Sequence, residues 1–216
     1  MHTTLVIGAH GKVGQLLVRD LAQAGHHVLA GFRHESQFES VAKLDNVTPV
    51  VFDLQALPTD MADFYQEHDL DEIVFTAGAG GASDALTTQI DLDGAIKSMD
   101  AAQVSGVKRY IMISAAGADD RNRWVRSGIY TYFMMKHYAD RFLKASDLDY
   151  TIVRPTTLTN EAGAGKIETT FNLDQSGLAI PRADVASFVT AIIDQPQTQR
   201  QVYEISAGNQ PINQAF

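Results

Sequence analysis

Apolar residues along the chain gather into short β-branched runs, and between these runs they recur with a helical period. Thr3 to Gly8 is an apolar run ending in glycine, and Val13 to Ala24 then spaces Val13, Leu16, Leu17 and Leu21 as one face of a helix. Gly25 closes that helix and His27 to Phe32 reads as the next strand; Val47 to Phe52, Glu72 to Ala77, Arg109 to Ala115 and Tyr150 to Val153 repeat the strand signature. Ser36 to Leu44, Asp84 to Val104 and Tyr132 to Ser146 carry helical patterns between strands, an alternation that predicts parallel βαβ units. Runs such as EIVFTA and YIMISAA are apolar at successive positions, as strands are when both sheet faces are covered. The expected fold is α/β, a single domain built on a doubly wound parallel sheet with helices on both faces.

After Pro155 the rhythm changes. Thr156 to Gly177 is polar and glycine-bearing, with a strand possible at Lys166 to Phe171, and reads as a substrate-side excursion. Pro181 opens a helix to about Asp194, and Gln201 to Ile205 is the last strand. No internal repeat, low-complexity tract or interdomain linker interrupts the chain.

Composition narrows the function. A length of 216 residues suits one large domain. The charge balance, 17 − 26 = −9, argues against a nucleic-acid partner, which needs clustered cations. With no cysteine, disulfides, thiolate nucleophiles and iron–sulfur clusters are excluded, consistent with a cytoplasmic setting. No apolar run approaches the ~18 residues of a membrane span, and Met1 to Thr4 lacks a basic signal-like region, so a protein acting on a small-molecule substrate away from membranes is expected.

Gly8, Ala9, His10, Gly11, Lys12, Val13 and Gly14 form a GxxGxxG between the first strand and the first helix. Glycines there let the backbone turn, approach a pyrophosphate and pack helix on strand, while the helix N-terminus presents N–H donors. Beyond the second strand, where a NAD site carries an acid for the ribose hydroxyls, this chain has Arg33, whose planar fork suits a 2′-phosphate; Glu35 stands close by. NADP is therefore expected over NAD. Asp53 and Leu54 follow the third strand and Ala77, Gly78 and Ala79 the fourth, on the ligand-binding edge of such a sheet. Asp53 either meets the adenine or caps the next element, and the glycine run either passes under the ribose or only turns the chain.

Ser114 ends the fifth strand. Tyr132 and Lys136 are four residues apart and share a helix face, whereas Tyr130 and Tyr138 fall on other faces. An ammonium beside a phenol is expected to lower its pKa from about 10. Tyr132 is then the candidate acid for a carbonyl oxygen, Ser114 its orienting hydroxyl, and Lys136 the group that tunes Tyr132 and reaches the nicotinamide ribose.

GAHGKVG, Ser114, Tyr132 to Lys136, and especially LDYTIVRP (Leu148 to Pro155) and IPRADVA (Ile180 to Ala186), resemble the atypical short-chain dehydrogenase/reductases, in particular the compact NmrA-like and biliverdin/flavin-reductase-like groups. The resemblance covers essentially the whole chain. It implies a Rossmann fold with NADP at the glycine loop and substrate above Ser114 and Tyr132. Thr156 departs from it, standing where many relatives have glycine. Three functions follow: an NADPH-dependent oxidoreductase acting on a small carbonyl or conjugated substrate, a non-catalytic dinucleotide sensor, and a sugar-nucleotide epimerase or dehydratase.

Other features read as structural. His26 and His27 lack a ligand pattern and look like strand-edge residues, so no metal is expected. Asp91-Leu92-Asp93 reads as a solvated helix face. Arg121, Arg123 and Arg126 around Trp124 read as a solvent-facing segment, with an anion or partner patch as the alternative.

Overall fold

The computed structural model describes residues 2–216. Its strands are β1 (Thr3–Ile7), β2 (His27–Phe32), β3 (Val47–Val51), β4 (Glu72–Phe75), β5 (Arg109–Ile113), β6 (Asp149–Pro155), β7 (Thr157–Thr159), β8 (Lys166–Glu168), β9 (Ala179–Pro181), β10 (Gln201–Ala207) and β11 (Gln210–Pro211). The α-helices are α1 (Lys12–Gln23), α2 (Pro58–Glu67), α3 (Asp84–Thr87), α4 (Ala95–Ser105), α5 (Arg121–Ser127), α6 (Tyr130–Ala145) and α7 (Arg182–Ile192). Nine strands form one sheet in the order β11-β8-β10-β6-β5-β4-β1-β2-β3, and β7 pairs with β9 alone. From β3 to β10 every pairing is parallel; β8 runs antiparallel to β10, and β11 antiparallel to β8. This is a doubly wound Rossmann sheet extended at one edge. The strand order reverses at β1, which has β2 on one side and β4 on the other, so the crevice for a ligand opens at the carboxyl ends of β1 and β4.

Successive strand residues feed opposite cores. Val6 and Ile111 pack with Leu17, Val18 and Leu21 of α1 and Val185, Phe188 and Val189 of α7. Leu5, Ile7, Tyr110 and Met112 pack on the other face with Met61 and Tyr65 of α2, Met99 of α4 and Leu143 of α6. Both faces are thus sealed, as a parallel sheet requires. At the two margins, β3 contains Pro49 and β11 contains Pro211.

The structure departs from the sequence pattern at several places. Ser36 to Leu44 forms no α-helix, only a 3₁₀ turn over Glu35–Ser40. Its inward residues Phe38, Val41 and Leu44 recur every three positions, and the Val41 and Leu44 N–H groups bond to the Phe38 and Val41 carbonyls, so the true period is 3.0 rather than 3.6. Helix α2 was not read from the pattern, because a mostly polar segment buries only Met61, Ala62 and Tyr65. Asp84 to Val104 is three pieces, α3, a π-helical stretch over Thr88–Gly94, and α4. Trp124 does not belong to a solvent-facing segment: it is fully buried and its indole N–H donates to the Ala118 carbonyl at 3.0 Å. Arg121 and Arg126 do face solvent, while Arg123 donates to the Leu173 carbonyl at 2.8 Å. His26 is not a strand-edge residue either, being buried just ahead of β2.

The excursion is held down by the IPRADVA segment. The Asp184 carboxylate, buried in the first turn of α7, accepts the N–H groups of Ala164 and Gly165 at 3.0 and 2.8 Å. Arg182 donates to the Leu158 carbonyl at 3.1 Å. Thr156 turns into the sheet, its hydroxyl 3.1 Å from that of Ser206, so its side chain is spent on the contact with β10. No helix among the described residues is long and apolar enough to cross a membrane.

Candidate active site

A cleft of about 670 Å³ lies at the carboxyl ends of β1 to β4, lined by Gly8, His10, Gly11, Arg33, Asp53, Leu54, Ala77 and Gly78 among others. The three glycines have separable reasons. Gly8 has φ +91°, and a Cβ there would stand 2.7 Å from the Ala77 nitrogen, so only glycine lets the loop after β1 touch the loop after β4. A Cβ on Gly14 would run into the Gly8 carbonyl, which fixes α1 against β1. Gly11 has an ordinary φ of −62° and a Cβ would meet only the Gly8 oxygen, at 3.2 Å. Gly11 caps α1 with no side-chain hydrogen bond, leaving the first-turn N–H groups open to an anion. Val13 points into the core and Lys12 to solvent, and neither they, Gly14 nor Ala79 line the cleft.

Arg33, at the end of β2, is exposed and makes no ion pair among the described residues; Glu35 starts the 3₁₀ turn without engaging it. The Gln37 carboxamide accepts the backbone N–H groups of Arg33 and His34 at 3.2 and 3.3 Å, setting the loop's course. Asp53 lines the cleft and accepts the Gln55 N–H at 2.8 Å, closing its own turn without capping α2, which starts after Leu57.

Beyond this cleft, α6 presents Tyr132, Lys136 and Asp140 at four-residue intervals toward the end of β5. The Lys136 ammonium, with 4% of the residue exposed, is 2.9 Å from Asp91 Oδ1 and donates to the Ile113 carbonyl at 3.4 Å. It stands 5.8 Å from the centre of the Tyr132 ring. Asp91 is not on a solvated face: it is 2% exposed, and its Oδ2 accepts the Ala79 N–H at 2.9 Å. The π-helical stretch carries Asp91, and its wider turn brings this carboxylate inward between the glycine loop after β4 and the lysine. Ser114 is anchored by its N–H to the Val153 carbonyl at 2.7 Å, and its buried Oγ has no hydrogen-bond partner among the described residues. Behind it, Arg154 from the LDYTIVRP segment is buried between Asp140, its Nε donating to Oδ2 at 2.8 Å, and Asp119, 2.8 Å from Nη1. Tyr130 lies outside this assembly, exposed against the edge of Trp124.

The electrostatics reverse one expectation. Burial pushes Lys136 down, but Asp91, Tyr132 and Asp140 more than offset it, so the group stays an ammonium. Burial raises the Tyr132 phenol; Lys136 pulls it down, while Asp91 and Asp140 push it up again. The net shift is upward, not downward, because burial outweighs the lysine's pull and the two carboxylates add to it. Burial also raises Asp140 against the pull of Arg154. Asp119 is more open; there burial is outweighed by Arg154, Lys144 and His137, which lower it to about 2.

Sequence reasoning missed Asp91, Asp140, Arg154 and Asp119. Asp140 was within reach of the rule that paired Tyr132 with Lys136, since it continues the same stripe by one more turn.

A family model described as NAD(P)H-binding matches residues 8–196. The uncharacterized sugar epimerase YhfK of Bacillus subtilis is 35% identical over 98% of this chain and 97% of that protein. The solved structure of the oxidoreductase YlbE from Lactococcus lactis is 30% identical, with a TM-score of 0.88 over 99% of this chain and 94% of that one. ChuY, an anaerobilin reductase from Escherichia coli O157:H7, shares the fold with a TM-score of 0.79 at 24% identity, covering 96% of this chain and 98% of that one.

Two outcomes follow from the geometry. Gly11→Val is expected to remain folded, with native circular dichroism, and to lose dinucleotide binding by calorimetry, whereas Gly14→Val should lose the fold itself; a folded Gly11→Val that still binds refutes the assignment. Asp91→Asn can keep the Ala79 hydrogen bond while stripping Lys136 of its counter-charge, so it should cost about 3 kcal/mol or more in urea unfolding at neutral pH.

Proposed function

The chain belongs to the NAD(P)H-binding family and to the atypical short-chain dehydrogenase/reductases, and on that premise we propose that it is an NADPH-dependent oxidoreductase acting on a small carbonyl or conjugated substrate. The observation that carries this reading is the juxtaposition of Tyr132 and the Lys136 ammonium on one face of α6, with Lys136 bonded to the Ile113 carbonyl next to Ser114. The cleft's residues fit the cofactor: a glycine loop, an uncapped helix N-terminus, and in Arg33 an exposed cation without an acidic partner. Bound NADPH would supply a hydride to the electrophilic carbon. As the substrate's C=O π pair moves onto oxygen, Tyr132 donates its proton there, forming the O–H bond. Ser114 Oγ, buried beside the Asp140 carboxylate, is placed to hold that oxygen. The Lys136 ammonium, fixed by Asp91, then stabilises the tyrosinate left behind.

The epimerase reading suggested by the Bacillus relative's name would use the same tyrosine first as base and then as acid, so net oxidation of NADPH by a carbonyl substrate separates it from reduction. A non-catalytic sensor would bind both redox forms of the cofactor and turn over none of a broad carbonyl panel, so steady-state NADPH oxidation separates it from an enzyme.

Arg33→Ala should weaken NADPH binding roughly 10- to 150-fold, the effect of about 1.5 to 3 kcal/mol for a charge-assisted contact, and leave NADH nearly untouched in calorimetric titration. Equal losses for both would remove the 2′-phosphate assignment. Tyr132→Phe should keep NADPH affinity while turnover on a competent carbonyl falls by roughly 10²- to 10⁴-fold, with Tyr130→Phe near wild type. Because the acid's pKa is raised, its protonated form persists past its ordinary value of about 10, and the reduction rate should stay level from about pH 7 to 9. A rate that falls across that interval, or full activity in Tyr132→Phe, assigns the proton to another donor.

A further inference from the structure

At the amino edge of the sheet, away from the dinucleotide cleft, two imidazoles and two carboxylates from distant parts of the chain meet. His2 precedes β1, His26 precedes β2, Glu72 opens β4, and Asp194 follows α7. His2 Nδ1 is 3.1 Å from Glu72 Oε1 and 3.3 Å from Asp194 Oδ1. The other oxygen of each carboxylate is held from behind. Thr4 Oγ1 donates to Glu72 Oε2 at 2.9 Å, and His26 Nε2 is 3.3 Å from Asp194 Oδ2. Thr4 Oγ1 is in turn 3.0 Å from His26 Nδ1. Thr4, His26 and Glu72 are buried, whereas the side chains of His2 and Asp194 are 55% and 50% exposed, so a rigid back wall faces an accessible front. A cavity of about 660 Å³ opens beside them.

We propose that His2 Nδ1, Glu72 Oε1 and Asp194 Oδ1 form a binding site for a divalent transition metal of the zinc class, with its fourth position open to this cavity. The three ligand atoms lie within 4.8 Å of one another. Around a tetrahedral ion with bonds of about 2.0 Å, neighbouring ligand atoms stand about 3.3 Å apart, so two of the three edges already have nearly the required length. One imidazole with two carboxylates is a nitrogen-and-oxygen set suited to zinc or its neighbours, while calcium and magnesium favour oxygen alone. Thr4 and His26 do for the carboxylates what outer ligands do at metal sites, fixing one oxygen so that the other faces the ion. Charge agrees: Asp71 and Asp149 also line the cavity. Two cations, Lys108 and Arg109, share its wall; the Arg109 guanidinium is held in place by the carbonyls of Asp149, Ile192 and Ile193 and the hydroxyls of Thr151 and Thr198, and its charge also acts on Glu72 and Asp194. The ion would clamp β1, β4 and the end of α7, roughly a strand's length from the dinucleotide, and the proposal is independent of the redox reading. The His26–His27 pair gives no ligand set by itself; the set exists only once the sheet aligns the strand starts.

The test uses the full chain freed of any affinity tag. Zinc titration against a chromophoric chelator at pH 7.5 should show one equivalent bound at micromolar dissociation constant or tighter, with a rise in melting temperature. His2→Ala and Asp194→Asn change exposed side chains the fold can spare, and each should weaken zinc by about 10- to 100-fold or more and remove the thermal shift, while His68→Ala, an imidazole outside the ligand set, changes neither. Ligands must shed protons to bind, so affinity should fall tenfold or more at pH 5.5. NADPH affinity should be equal in all these forms. Absence of zinc binding at about 100 μM, or binding that survives both His2→Ala and Asp194→Asn, overturns the site.

Discussion

Two opposite charges taken out of water, Lys136 and Asp91, are the constraint around which the carboxyl edge of the sheet is arranged. Burying an ammonium and a carboxylate costs several kcal/mol each unless every remaining bonding direction is filled. Here the pair closes to 2.9 Å, the second carboxylate oxygen takes the Ala79 N–H, and the ammonium donates to the Ile113 carbonyl. These three contacts tie α6, the π-helical stretch, the loop after β4 and the end of β5 to one another. The cofactor side and the acid–base side are therefore not independently adjustable. The same carboxylate opposes the lysine's pull on the Tyr132 phenol, which burial already raises.

Much of the plan was legible in order. The first strand, its glycine loop, the first helix and the later parallel strands could be read because each carries its own periodic signal within ten or fifteen residues. Failures came where the deciding contact lies outside such a window. Phe38, Val41 and Leu44 look helical until the three-residue interval is counted, and α2 buries too few residues to announce itself. Asp91 sits in a run that reads as an ordinary amphipathic helix. Its inward turn depends on a π-helical register that no spacing rule encodes, and on a lysine 45 positions later. Trp124 was misjudged because three arginines surround it, yet the indole alone enters the core.

The excursion after Pro155 shows how a segment without a periodic signal can still be ordered. Asp184 at the head of α7 gathers two backbone N–H groups from its middle, and Arg123 on α5 grips the Leu173 carbonyl farther on. Both anchors belong to helices, and between them Ile167 is buried where β8 joins the main sheet, so the segment is fastened at separate points along its length.

The prolines at the sheet's two margins matter beyond this one molecule. A strand edge offers unpaired amides to any other chain that can align with it, and apolar segments such as those of β4 and β5 would make such stacking hard to reverse. Pro49 removes a donor from one margin, and β11 at the other is two residues long and ends in Pro211. Neither margin can template an added strand for more than a residue or two. A second copy therefore finds little room to extend the nine-stranded sheet edge to edge at either margin.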